Sequence, residues 1–394
     1  MKEGGVEQTA VSRRVREITP FIAMDVMETA QAMERAGERI IHLEVGEPDF
    51  DTPECIKEAA LRALGEGKTH YTDSRGLFEL RQAISEYYLR RYGVAVSPDQ
   101  ILITSGTSPA MFMVFSALLE AGEEIIISDP HYACYPNFIR FAQGNPIKIR
   151  VYEEDGFQYH PEEIRSRITP QTKGIVINSP SNPTGTLLGE ERIGEISDFD
   201  PYIISDEVYH GLVYEGREHS ILEFTPRAFV LNGFSKLYAM TGWRLGYLIA
   251  PQSFMRSLQK IHQNFFISAN SVAQWAGIAA LTQAEEEVKR MRRLYDERRK
   301  LMISRLKDMG FGLKVEPTGA FYVLANARKF HADSYRLAFD ILKKARVGVT
   351  PGIDFGEGAE GYLRFTYANS LERIEEGMVR LREYLERQEY KSIQ

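Results

Sequence analysis

Cysteine is scarce in this 394-residue chain: Cys55 and Cys134 are the only two, far apart and without CxxC spacing. That usage excludes a disulfide scaffold and a structural zinc site, and it fits a reduced cytoplasmic protein. An excess of positive charge is also missing. The 48 Lys and Arg are outnumbered by 55 Asp and Glu, for a net charge of −7, so no broad basic surface is offered to nucleic acid. No apolar run approaches the ~20 residues of a membrane-spanning helix. The opening stretch "MKEGGVEQTAVSRRVREITPF" has no continuous apolar core and does not read as a secretory signal. Internal repeats and low-complexity linkers are absent. "GEGKTHYT" (65–72) contains Gly-Lys-Thr, but the earlier glycine of a P-loop would fall at Arg62, and the preceding segment reads as helix rather than strand.

What is present is an ordinary soluble composition in a chain long enough for two or three domains and a substantial core. From about residue 100, short β-branched runs alternate with helical stretches. "QILITSG" (100–106) reads as a strand followed by a helix over 108–122. Next come a strand at 124–129, a helix around 135–143 and a strand at 147–151. Further strands fall at 174–178, 202–207, 228–235 and 242–250. The alternation indicates an α/β layer structure with a mainly parallel sheet covered on both faces. Ligands of such sheets bind outside the carboxyl ends of the strands. There this sequence places Ser105-Gly106-Thr107, Asp129, Asn178, Asp206 and Ser235-Lys236. From residue 283 the texture changes to a long charged helix with an apolar stripe, ended by Gly310. Strands near 319–325 and 362–368 and helices near 334–345 and 371–388 follow, which reads as a second, α+β domain. The segment before about residue 48 is expected to pack on it.

Several side chains invite a chemical reading beside a bland one. Lys236 is either a lysine snorkelling from a strand end or a desolvated amine, because Phe234, Leu237 and Tyr238 leave it little room to reach water. Desolvation lowers an ammonium pKa, and a neutral amine forms a Schiff base with an aldehyde. Asp206 could cap a helix, ligate a metal or partner a cation. Metal is disfavoured, since His210 lies outside the usual helical pairing and no second carboxylate converges on it. Tyr209 would point the same way as Asp206 if the chain turns helical there. "NSPSNPTG" (178–185) is a turn-rich loop that also holds two amides, Asn178 and Asn182, rigidly at a strand end. "TSGTSPA" (104–110) is a strand–glycine–helix junction suited to phosphate, although many helices begin with an ordinary Ser or Thr cap. Arg364 in "GYLRFTYA" lies on a sheet face, either exposed or as a bidentate clamp for a carboxylate.

In order along the chain, "GEPDF", "HYTDSRG", "TSGTSPA", "DPHYACYPN", "NSPSNPTG", "SDEVY", "FSKLYAMTGWRLGY" and "YLRFTYA" resemble the class I pyridoxal-phosphate aminotransferases. The similarity covers nearly the whole chain. It implies fold type I: a large domain with a mainly parallel seven-stranded sheet covered by helices (48–283), and a smaller α+β domain built from 1–47 and 284–394. It implies pyridoxal 5'-phosphate as cofactor, with Lys236 as the lysine that holds it and later moves the α-proton. Asp206 would partner the pyridine nitrogen and keep the ring an electron sink. Tyr209 and Asn182 would hydrogen-bond the phenolic oxygen, and Tyr132 would stack on the ring. Ser105, Gly106, Thr107, Ser235 and Arg244 would bind the phosphate, with Tyr71 reaching it from a neighbouring subunit of a homodimer. The main chain of Gly46, with Asn182 and Arg364, would hold the substrate α-carboxylate.

Two departures stand out. Position 108 is serine, where a bacterial aspartate-type subgroup carries a lysine that reads a distal carboxylate, so no aspartate preference is implied. The stretch 189–209 is shorter than usual before its strand, which implies one trimmed peripheral helix or loop. The activity implied is ping-pong transfer of the α-amino group of an L-amino acid to a 2-oxo acid, with 2-oxoglutarate the family default. The alternatives are a β-lyase or eliminase on the same scaffold and a regulator with an aminotransferase-like ligand domain. The regulator is expected to need a DNA-binding module, for which there is no room before "GEPDF". Neither the identity of the donor amino acid nor the pathway is legible.

Overall fold

The consecutive isoleucines of "EIIISD" are all fully buried, which requires cover on both sides of their strand. In the computed structural model, which describes residues 11–387, Ile125 and Ile127 pack with Met111, Val114 and Phe115 of the helix Thr107–Leu118 and with Leu258 of the helix Gln252–Phe265. Ile126 faces the other way, into a cluster with Ile175, Ile203 and Val230 and with Leu80, Ile84 and Ala276 from helices Phe78–Tyr92 and Ser271–Gln283. The strand is one of seven in a sheet of spatial order Ile101–Thr104, Gly246–Ile249, Ala228–Gly233, Tyr202–Asp206, Thr172–Asn178, Glu124–Asp129, Asn145–Arg150. The fold is α/β, as the alternation of runs predicts.

One strand runs against the rest. Gly246–Ile249 is antiparallel to both neighbours, Ala228–Gly233 and Ile101–Thr104, while the other pairings are parallel. Its amino end therefore meets the carboxyl ends of the other strands at one edge of the sheet. The strand is also shorter than the expected 242–250. Thr241–Trp243 forms a turn of 3-10 helix and Arg244 takes a left-handed conformation (φ 52°), so pairing begins only at Gly246.

A second, smaller sheet is antiparallel, in the order Thr350–Pro351, Tyr362–Thr366, Tyr322–Asn326, with Arg364 opposite both Thr350 and Leu324. Its first strand in sequence starts later than the expected 319, because Ala320 is left-handed (φ 55°) and Gly319 hydrogen-bonds across to Gly185. The helices Glu285–Met309 and Ser334–Ala345 pack with this sheet, and Leu371–Arg387 packs against both helices. Gly310, at φ 89°, ends the long helix in the left-handed cap that glycine adopts without strain.

The helix Ile22–Arg35 packs against Ser334–Ala345, through a cluster of Val26, Ala30, Ile40 and Leu342. Its own sequence supplies no side-chain cap. The cap comes from far along the chain: the Asp354 carboxylate accepts from the amides of Ile22 (2.9 Å) and Ala23 (3.0 Å). Replacing it with alanine leaves two helix-start donors without acceptors. Asp354→Ala is expected to cost about 1–2 kcal/mol in chemical denaturation, with faster hydrogen exchange confined to the first turn of that helix. An unchanged exchange rate at residues 22–25 would show that the remote cap does not hold the helix.

Candidate active site

The reversed strand explains why polar residues scattered over the sequence meet. The segments leaving strands Ile101–Thr104, Glu124–Asp129, Thr172–Asn178, Tyr202–Asp206 and Ala228–Gly233, and the turn entering Gly246–Ile249, share one sheet edge. Above that edge lies a cavity of about 300 Å³. Gly46, Thr107, Tyr132, Asn182, Asp206, Tyr209, Ser235, Lys236, Arg244 and Arg364 all line it. Ser105 and Gly106 lie just behind, at the start of the helix Thr107–Leu118. A side chain at Gly106, whose φ is +96°, would run into the Arg244 guanidinium. Tyr71 lies outside this cavity, 85% exposed on the surface of the chain.

The floor is made by Asp206, buried at the end of its strand. Its carboxylate accepts from the Tyr135 hydroxyl (2.7 Å) and the Val208 amide (3.3 Å), both neutral donors. Burial pushes its pKa up to about 6, against the smaller opposing pulls of those two hydrogen bonds and of the Lys236 charge, which leaves it mostly ionised at neutral pH. Asn178 braces the floor, donating to the Asp206 carbonyl (2.9 Å) while its own side-chain oxygen accepts from the Asn182 amide (2.8 Å). Both asparagines line the cavity, and Asn178 braces the scaffold as well.

Lys236 donates to the carbonyl of Gly46 at 2.7 Å. Burial is the largest influence on its amine and lowers its pKa to about 8, against a smaller opposing pull from Glu47. About a tenth of the amine is then neutral at pH 7, a far larger share than for a lysine in water. Arg244 lines the cavity from its open side and is exposed in the single chain. Arg364 is the reverse case, 2% exposed on an interior sheet face rather than at the surface. It donates to Asn182 Oδ1 (2.9 Å), the Glu44 carbonyl and Thr350 Oγ1 (3.1 Å), and its Nε has no partner.

Three contributors escaped the sequence reading. Tyr135 holds Asp206, yet within "DPHYACYPN" only Tyr132 stood out. Phe21, Ala23 and Met24 close one wall from the remote N-terminal helix. Tyr322 lies in "GAFYVLAN", an apolar strand with no local sign of chemistry. Its hydroxyl sits 2.8 Å from that of Tyr209. A half-buried amine with a lowered pKa, a buried carboxylate and a buried guanidinium share one cavity, an arrangement chemically able to condense an amine with a carbonyl compound and to hold a carboxylate.

Comparison with known proteins names the class. The sequence pattern described as "Aminotransferase class I and II" matches residues 38–381, and the chain belongs to that family. A (5-formylfuran-3-yl)methyl phosphate transaminase of Methanocaldococcus jannaschii is 42% identical over 95% of this chain and 99% of its own length. An aspartate aminotransferase of Pyrococcus horikoshii is 42% identical over 95% of this chain and 97% of its own. The structure of Thermus thermophilus aspartate aminotransferase with maleate superposes with a TM-score of 0.91, at 38% identity over 95% of this chain and 99% of that one. The protein is an aminotransferase of a family that depends on pyridoxal phosphate.

The depressed Lys236 pKa has a direct chemical readout. In cofactor-stripped protein, acylation of Lys236 is expected to rise with pH to a half-maximum near 8, as the neutral amine forms. Mass-spectrometric peptide mapping follows it residue by residue, and surface lysines should titrate near ~10.4. A Lys236 midpoint alongside the surface lysines would contradict the desolvated site.

Proposed function

We propose that this aminotransferase binds pyridoxal 5'-phosphate on Lys236 and moves the α-amino group of an L-amino acid to a 2-oxo acid, with 2-oxoglutarate as acceptor. The observation that carries the reading is the cavity shared by the Lys236 amine, the Asp206 carboxylate and the Arg364 guanidinium. The residues fit such a cofactor. Asp206 is a buried anion whose hydrogen-bond donors are both neutral, which suits a protonated ring nitrogen. Arg364 has a buried N–H without an acceptor, which suits a carboxylate. When bound, the cofactor supplies an aldehyde carbon for the amine and an electron-withdrawing ring that stabilises charge at the substrate Cα.

The remaining work falls to the chain's own side chains. Asp206 would hold its negative charge against the ring nitrogen. Tyr209 and Asn182 would hydrogen-bond the phenolic oxygen, and Tyr132 would pack on the ring face. The amides opening the helix Thr107–Leu118, with Ser105, Gly106, Thr107, Ser235 and Arg244, would hold the phosphate. Arg364 orients the α-carboxylate, together with Asn182 and the main chain of Gly46. The Lys236 amine, with a pKa near the working pH, takes the proton from Cα and returns it; such shuttling typically contributes about 10²–10⁴-fold. The amino acid leaves as its oxo acid before the second oxo acid enters, a ping-pong order.

The proposal extends to the assembly. A homodimer would bring Tyr71 of one subunit to the phosphate of the other, and the strong exposure of this tyrosine supports that reading. Residues 48–283 would form the large cofactor domain, and 1–47 with 284–394 the small one. Two free cysteines, and no helix among the described residues long and apolar enough to cross a membrane, support a cytoplasmic setting.

Purified protein is expected to be yellow and to fix its cofactor to Lys236 on borohydride treatment, whereas Lys236→Ala fixes none; fixation at another lysine would refute the assignment. Arg364→Ala should lower kcat/KM for amino acids by about 10–10²-fold, from the loss of one charge-assisted hydrogen bond. Amines lacking an α-carboxylate should be spared, and an equal loss for both would remove the clamp role. A panel of aromatic, methionine, alanine, aspartate and aminoadipate donors against 2-oxoglutarate, scored by kcat/KM, tests the acceptor and ranks the donors.

A further inference from the structure

Tyr322 stands where three of the proposed functional groups meet. Its hydroxyl lies 2.8 Å from that of Tyr209. The Arg364 guanidinium sits over its ring, 4.4 Å from the centroid. A Cβ built on Gly46 would fall 1.7 Å from the Tyr322 oxygen, so glycine at 46 leaves the space this hydroxyl occupies. The carbonyl of the same Gly46 accepts from Lys236. Tyr322 is itself 1% exposed, at the first position of a strand pinned by its neighbour Tyr362–Thr366. No role in binding or catalysis has yet been given to it.

We infer that Tyr322 is a positioning residue with two separable parts: its hydroxyl donates to Tyr209 and strengthens the hydrogen bond Tyr209 gives to the cofactor's phenolic oxygen, and its ring steadies the Arg364 clamp. The inference rests on the proposed cofactor site. Either hydroxyl of the pair could donate at 2.8 Å. The proposed site sets the direction: a Tyr209 that gives its own proton to the ligand has only its oxygen left for the pair, so Tyr322 is the donor and Tyr209 the acceptor. A donor that is itself accepting a hydrogen bond is a stronger one. Negative charge on the phenolic oxygen is then better stabilised, and that oxygen binds a proton less tightly. The ring's part is electrostatic. A guanidinium over an aromatic face is attracted to it; Arg364 is also held by Asn182, Glu44 and Thr350 and lies 4.8 Å from the Phe355 ring, and of its two aromatic neighbours Tyr322 is the nearer and the one that lines the cavity.

Tyr322→Phe and Tyr322→Leu separate the two parts in the holoenzyme. Phenylalanine keeps the ring and the volume but removes the hydroxyl. It is expected to raise the pH midpoint of the holoenzyme's visible absorption by about 0.3–1 unit, the size of one lost hydrogen bond. Leucine removes the ring as well, and is expected to raise KM for α-amino acids by about 2- to 30-fold, beyond any change in Phe. Amines without a carboxylate should show no such extra rise. A band with the wild-type midpoint in Tyr322→Phe overturns the hydroxyl role. Equal weakening of amino acids and carboxylate-free amines by leucine overturns the ring role. Absence of any visible band in the wild-type protein overturns the cofactor reading and this inference with it. Because phenylalanine preserves packing, the spectroscopic arm stands even if the leucine variant does not fold.

Discussion

A single guanidinium ties together parts of the chain more than 300 residues apart. Arg364 sits in the small antiparallel sheet, yet it hydrogen-bonds Asn182 from the loop after a strand of the large sheet, and Glu44 from the segment after the N-terminal helix. A buried arginine left unpaired would cost several kcal/mol, so these acceptors must be in place together. Meeting that demand brings the two sheets and the N-terminal helix around one cavity. The same geometry leaves one N–H of Arg364 without an acceptor, and a ligand carboxylate is the group that would complete it.

Electrostatics inside this cavity follow from the exclusion of water rather than from ion pairing. Asp206 is held by neutral donors and Lys236 by a carbonyl, so neither has its charge cancelled by a close partner. Burial therefore moves both pKa values toward neutrality, one up to about 6 and the other down to about 8. An acid and a base whose pKa values bracket neutral pH are suited to holding charge and moving a proton in one site. The tyrosines add directional hydrogen bonds without adding formal charge.

The α/β class, the cofactor-family resemblance and most strand positions were legible because buried strands leave unbroken β-branched runs and strand ends leave Gly, Ser and Asn. Lys236 and Asp206 were legible for the same reason: a charge inside an apolar stretch is conspicuous. The reversed direction of Gly246–Ile249 was not, since a buried strand has the same composition whichever way it runs. The left-handed turn at Arg244 was not legible either, because it interrupts what reads as one continuous strand over 242–250.

By itself, then, the order of residues determined which elements form and which side chains are chemically unusual, because both are local properties of burial and patterning. Only the tertiary structure decided which of those side chains share a cavity. Tyr322, Tyr135 and the Phe21–Met24 wall look like ordinary core residues in isolation, and they become part of the site through contacts closed by long-range packing. Asn178 gained a second part as a brace while still lining the cavity, because the parallel register of its strand with Tyr202–Asp206 sets its amide against a main-chain carbonyl. Hydrogen bonds between distant segments leave no periodic trace in a sequence, and their partners are fixed only when the sheets come together.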